Sequence, residues 1–121
     1  MAGQKRATIS TNVRFGVWLR GIRQSRQLPL RAVAAAAEMD QAHLSKVELG
    51  HRLLTSEQSS AIAKFFEMDA QEIEARRIVE RFRIEYAGNP AAGYAINMLR
   101  EDPVIYGVKK VKLPTITTNN S

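Results

Sequence analysis

The sequence predicts an all-α protein, and three observations lead there. Apolar residues recur at three- and four-residue spacing through most of the first hundred positions, which is the stripe of amphipathic helices. Capping residues and glycines fall where those stretches begin and end. The composition, 45% hydrophobic and 25% charged over 121 residues, is that of an ordinary folded chain with one core and a short appendage.

The elements follow in order. Residues 1–11, rich in Lys, Arg, Ser and Thr, read as a flexible basic arm. From Asn12 to Gln24 the stripe Phe15, Trp18, Leu19 and Ile22 predicts a first helix. Pro29 suits a first helical turn, and Leu30 to Ala37 holds good helix formers, so a short second helix follows. Asp40 stands where an N-cap carboxylate is needed for a third helix, Gln41 to Leu49, and Gly50 is placed to end it in a left-handed conformation. Thr55 and Gln58 have the form of a capping box, opening a fourth helix to about Glu67 with Ile62, Phe65 and Phe66 inward. Asp69 with Glu72 repeats that logic for a fifth helix, which runs to about Ala87, where Gly88 and Pro90 stop it. A shorter sixth covers Ala91 to Arg100. Val104 to Leu113 is β-branched and partly alternating, and reads as a single terminal strand in want of a partner. The remaining residues form a polar tail.

Charge is distributed unevenly. Residues 1–66 carry ten Lys/Arg against four Asp/Glu, and residues 67–121 carry eight of each, so the whole excess of +6 lies in the first half. A basic half joined to a neutral half suits a nucleic-acid-binding unit attached to an assembly unit, because phosphate contacts supply most non-specific affinity. The absence of cysteine excludes disulfides and thiolate metal sites and fits a reducing compartment. Met1 to Asn12 lacks the apolar core of a signal peptide, and no run approaches the roughly 18 apolar residues of a membrane span, so a cytoplasmic protein is expected. An enzyme would need a nucleophile beside a base, or paired carboxylates, and neither is apparent. His43 and His51 stand without further ligands at metal spacing, so no metal and no cofactor are expected.

The informative unit is Val33-Ala34 followed by Met39, Leu44 and Val47. Two short helices crossing at a large angle need a small residue at their contact, which Ala34 provides. Burying Met39, Leu44 and Val47 leaves Gln41, Ala42, Ser45 and Lys46 on the outer face of helix three. With Leu19, Ile22 and Arg23 before them, and Leu44-Ser-Lys-Val-Glu48, Gly50, Ile62-Ala-Lys64, Phe66, Met68 and Ile73 after, these residues resemble the Cro and lambda-repressor-like helix-turn-helix regulators, the XRE family. The resemblance spans about residues 12–75 and implies a five-helix DNA-binding domain, with residues 76–121 as a helical dimerisation extension.

The same resemblance implies residue roles. Gln41, Ala42, Ser45 and Lys46 match positions that face the major groove, where Gln pairs with adenine and Lys with guanine or phosphate. Arg31, His43, His51 and Arg52 are assigned to phosphates. Arg23 and Glu48 match an ion pair that braces helix one against helix three. Three departures stand out. Pro29-Leu30 replaces a polar cap and phosphate ligand; Glu38 occupies a turn position usually held by Gly, which strains the turn if φ is positive; and Ala37 stands where Leu is common, leaving volume for Trp18 or Phe15 to fill.

Beyond the small domain, Ala75, Val79, Phe82 and Tyr86 recur at four-three-four spacing, a seam that predicts a homodimer unless the sixth helix covers it. The expected partner is double-stranded operator DNA, and the expected function is transcriptional regulation, most simply repression. A rival reading is an antitoxin whose segment from about Val104 binds a protein partner while the same helix-turn-helix autoregulates its operon.

Overall fold

The computed structural model describes residues 13–102, which contain six helices and no strand: α1 (Phe15–Ser25), α2 (Leu30–Ala36), α3 (Gln41–Glu48), α4 (Ser56–Phe66), α5 (Ala70–Tyr86) and α6 (Ala92–Arg100). The expected arm at 1–11 and strand at 104–113 lie outside the described residues. The chain divides into two compact units, Met1–Glu85 and Tyr86–Ser121. The first unit thus extends past the boundary at 75 that the sequence suggests, because the second half of α5 is fastened to α1.

The core of the first unit is one cluster in which Phe15, Trp18 and Leu19 of α1 meet Val33 and Ala34 of α2, Leu44 and Val47 of α3, Leu54, Ile62 and Phe66 around α4, and Ile73 of α5. Ala37 lies in the same cluster as Trp18 and Phe15. On α4 the buried residues are Ser59, Ile62, Ala63 and Phe66, the i, i+3, i+4, i+7 stripe of a helix. Phe65, expected to point inward, is 41% exposed, since it sits about 100° around the helix from Phe66.

Helix ends are set by local chemistry with one exception among the expected caps. Thr55 and Gln58 form a complete capping box, the Thr55 hydroxyl accepting from Gln58 N at 3.0 Å and the Gln58 side chain accepting from Thr55 N at 2.9 Å. Asp69 Oδ1 accepts from Gln71 N at 3.0 Å. Asp40 occupies the N-cap position of α3 in extended conformation, but its side chain makes no capping bond. Helices α1 to α4 all end in the Schellman arrangement, with N–H groups of the two residues after the cap returning to the last turn: Leu28 to Arg23 O, Met39 to Ala34 O, His51 to Lys46 O and Met68 to Ala63 O, which satisfies carbonyls that would otherwise be orphaned. The left-handed residue at these ends is Gln27, Glu38, Gly50 and Glu67, with φ of 56°, 53°, 87° and 59°. Only Gly50 adopts this conformation without a Cβ penalty, so the turn between α2 and α3 carries strain at Glu38 of order 1 kcal/mol.

Two carboxylates on α5 fasten it to the rest of the unit. Glu74 accepts from the Ser56 and Ser59 hydroxyls at 2.9 and 3.0 Å and from Arg77 at 2.7 Å, and Arg77 also donates to Ser56 Oγ at 2.9 Å. Glu80, 3% exposed, accepts from the backbone N–H of Phe15 at 3.1 Å, from Arg14 Nε at 2.9 Å and from Arg83 at 3.2 Å. Arg14, the N-cap of α1, offers no side-chain cap of its own, so the cap for α1 comes from 65 residues away. The Arg76 guanidinium lies 4.5 Å from the centre of the Trp18 ring, adding a cation–π contact to the same join.

The α6 helix of the second unit has no buried residue and exposes Tyr94, Ile96, Met98 and Leu99. No helix among the described residues is long and apolar enough to cross a membrane.

Among the described glycines, Gly16 is the most tightly enclosed. A Cβ built there would lie 2.4 Å from Val47 O and 2.5 Å from Glu48 O, backbone atoms that cannot move without shifting α3. Gly16→Ala is expected to destabilise the domain by about 3 kcal/mol, the upper part of the overpacking range, as a lowered urea midpoint; an unchanged midpoint would show that α1 and α3 can separate freely. The Glu74 network carries a pH signature. Hydrogen bonding to Arg77, then to Ser56 and Ser59, outweighs desolvation and lowers the Glu74 pKa from 4.5 to about 2. A depressed native value contributes stability that is complete above the unfolded pKa and fades as pH falls through about 4 towards 2. Glu74→Gln should therefore narrow the difference in urea midpoint between about pH 6 and about pH 3, and an undiminished difference would assign acid sensitivity to other carboxylates.

Candidate nucleic-acid interface

The α3 helix is short, and its two faces differ sharply. Leu44, Val47 and Glu48 are buried, whereas Gln41, Ala42 and Lys46 are exposed and Ser45 is half-buried. The outward residues fall at i, i+1, i+4 and i+5, the spacing that keeps side chains on one face. Leu49, the C-cap in right-handed helical conformation, continues that face one turn beyond Ser45 and Lys46 and is 60% exposed. Sequence reasoning missed it, although its i+7 relation to Ala42 was there to be read. The outer face of α3 is thus a strip of amide, methyl, hydroxyl and ammonium groups closed by an apolar end.

The helix is held from its C-terminal side. Arg23 of α1 grips Glu48 through two bonds, Nε to Oε2 at 2.7 Å and Nη2 to Oε1 at 3.0 Å, and its third nitrogen donates to Leu28 O at 2.9 Å. Side-chain exposures of 14% and 6% make this a buried, bidentate pair, the geometry for which arginine is suited. One guanidinium therefore joins α1, the turn before α2 and the last turn of α3. Since Glu48 points inward while Lys46 points outward, the ion pair and the outer face do not compete.

The residues expected at phosphates are distributed around α3 in the chain. Arg31, in the first turn of α2, is exposed, as are His51 and Arg52 immediately after α3. His43 differs: it is half-buried and its Nε2 is shielded from solvent without a hydrogen-bond partner. That nitrogen is not presented to a phosphate in this structure. Pro29 is the N-cap of α2 and makes no side-chain cap, and Leu30 is half-buried and packs against the core, so the polar cap of related proteins is replaced by an apolar contact.

Residues 19–73 match the protein-family model described as Helix-turn-helix. The matching model is that of the Cro/C1-type, XRE helix-turn-helix family. The match begins within α1 and ends within α5, taking in α2, α3 and α4 whole, and α2, the Glu38 turn and α3 form its helix-turn-helix. The match supports a DNA-binding regulator of the XRE type. No match was found among curated proteins or among solved structures.

Breaking the buried pair of this helix-turn-helix leaves a charge stranded. Arg23→Ala or Glu48→Ala is expected to cost about 3–5 kcal/mol of domain stability, because the surviving partner loses its counter-charge in a desolvated site. Thermal melts measure this, and an unchanged midpoint with altered DNA preference would place these residues at the DNA instead.

Proposed function

We propose that the protein is a sequence-specific, double-stranded-DNA-binding transcriptional repressor that acts as a homodimer, with α3 as its recognition helix. The observation that carries the reading is the division of α3 into a clamped inner face and a free outer face of base-sized polar groups. Gln41, in the first turn, offers a donor and an acceptor for the N7 and N6 edge of adenine. Ala42 offers a methyl to the 5-methyl of thymine, and Lys46 reaches a guanine edge or a neighbouring phosphate. Ser45, partly withdrawn, is suited to a hydrogen bond with either class of base.

Arg31, His51 and Arg52 supply cations on α2 and after α3, where phosphate contacts set register and orientation rather than sequence. His43 joins them only if its ring turns on binding. Two copies are proposed because one short helix reads too few bases for useful specificity, and a pair doubles the site. The exposed Ala75 and Val79 on α5 support that assembly.

Gln41→Ala should weaken binding to a duplex selected from a random pool by about 1–3 kcal/mol while barely changing binding to scrambled DNA. Arg52→Ala should weaken both duplexes alike and reduce the slope of log affinity against log salt by about one unit. Titrations of each variant on both duplexes at two salt concentrations separate these roles. Equal losses on both duplexes for Gln41→Ala would remove α3 as the reader.

A further inference from the structure

Asp40 stands at the N-cap of α3 in extended conformation, with φ −66° and ψ 145°, and its carboxylate makes no capping bond. The residue is exposed, and its side chain has no ion pair or hydrogen bond among the described residues. Asp69 shows the alternative, since its Oδ1 turns back onto the chain and accepts from Gln71 N at 3.0 Å. An aspartate before a helix ordinarily does the same, because the first turn offers unsatisfied N–H groups. At Asp40 only the backbone takes part, its carbonyl accepting from Leu44 N at 3.1 Å, and the carboxylate is left free beside Gln41.

A free carboxylate is out of place in this half of the chain, where residues 1–66 carry ten Lys/Arg and four Asp/Glu. Of those four, Glu48 is locked to Arg23 and Glu57 lies in the first turn of α4, where the helix dipole favours it. Glu38 belongs to the turn, and Asp40 leads directly into the outward residues of α3. Against DNA such a group is repelled by phosphates and by the N7, O6 and O4 acceptors of the major groove. What it can accept from is an exocyclic amino group, N4 of cytosine or N6 of adenine. In adenine that group stands beside the N7 acceptor, which suits an amide that donates and accepts, as Gln41 does. In cytosine it stands without an acceptor on the same base, which suits a carboxylate.

We infer that Asp40 is a further specificity-determining residue, whose carboxylate accepts from the N4 amino group of a cytosine next to the adenine read by Gln41. The inference rests on the proposed DNA-reading role of α3 and deepens it by one base pair. The N-terminal residues of a recognition helix are those that approach base edges. Consecutive Cα atoms lie about 3.8 Å apart, close to the rise of about 3.4 Å between base pairs, so residues 40 and 41 address neighbouring pairs. The same carboxylate also excludes: a thymine or guanine at that position meets it with O4, or with O6 and N7, and the complex is weakened.

Asp40→Asn keeps the size and capping capacity of the residue and replaces its charge with an amide that both donates and accepts. The probe is a duplex selected from a random pool by the unaltered chain, with each C·G pair of the site replaced in turn by T·A. One such replacement should weaken binding of the unaltered chain about 5- to 150-fold, and that of Asp40→Asn by less than about threefold. Binding of Asp40→Asn to scrambled DNA should rise about two- to fivefold, because a charge of the same sign as the phosphates is gone. That rise separates reading from capping, since loss of a cap lowers the melting midpoint and does not strengthen contact with DNA. An equal C·G penalty in both chains would overturn the assignment, as would a selected site without cytosine beside the adenine. A lowered midpoint with unaltered base preference would make Asp40 a cap alone. Gln41→Ala tells this failure from that of the underlying reading. If it abolishes the adenine preference while Asp40→Asn keeps the cytosine penalty, only the Asp40 assignment falls; if neither variant alters base preference, α3 is not the reader and both fall.

Discussion

The position of α3 depends on the grip that α1 has on its last turn. Backbone carbonyls of Val47 and Glu48 press on the place where Gly16 lacks a side chain, and the Glu48 carboxylate, which leaves the same turn, is held by Arg23. The first contact sets how near α3 can come and the second sets its rotation about its own axis. With rotation set, Gln41, Ala42 and Lys46 have to face outward, because Leu44 and Val47 are in the core. A bidentate buried pair is an uncertain source of net stability, since desolvation offsets much of the attraction. Its directional bonds make it an effective source of orientation, which is what the proposed recognition helix needs.

The same reasoning extends to α5. Among the described residues, Glu80 is a carboxylate removed almost entirely from solvent, and hydrogen bonding to Arg14, with further bonds from Phe15 N–H and Arg83, keeps its pKa below the ordinary carboxylate range despite burial. It replaces the N-cap that Arg14 does not provide. An anion at a helix N-terminus is favoured by the exposed N–H groups and by the helix dipole, so this one residue satisfies a local need of α1 while fixing a helix far along the chain. The cost of such an arrangement is borne at turns as well: Gln27, Glu38 and Glu67 accept positive φ so that four successive helices can end tightly and the chain can reverse within a few residues.

Much of this was legible beforehand because it is periodic or local. The stripe Phe15, Trp18 and Leu19, the Thr55 capping box, the left-handed Gly50 and the positive φ at Glu38 are all decided within a turn or two of helix, where spacing and side-chain type carry the information. The outward set on α3 followed from the inward one. Legibility failed where a single helical step mattered, as with Phe65, which shares composition but not phase with Phe66, and with Leu49, which continues the outer face past the expected polar residues. It failed again at Asp40, whose type suits a cap that its side chain does not make.

The sequence by itself therefore determined which segments are helical, which of their faces are apolar and which short run lies on the outer face of α3, since these follow from propensity, capping and a period of 3.6 residues. Only the tertiary structure decided that Gly16 is a contact point, that α1 is capped by Glu80, that Glu74 ties α5 to Ser56 and Ser59, and that the folded unit continues to Glu85. Each of these joins residues that are remote in the chain through a carboxylate or a missing side chain. A charged residue in a helix reads as solvent-facing, and a glycine reads as a weakness, until the opposing backbone is in place.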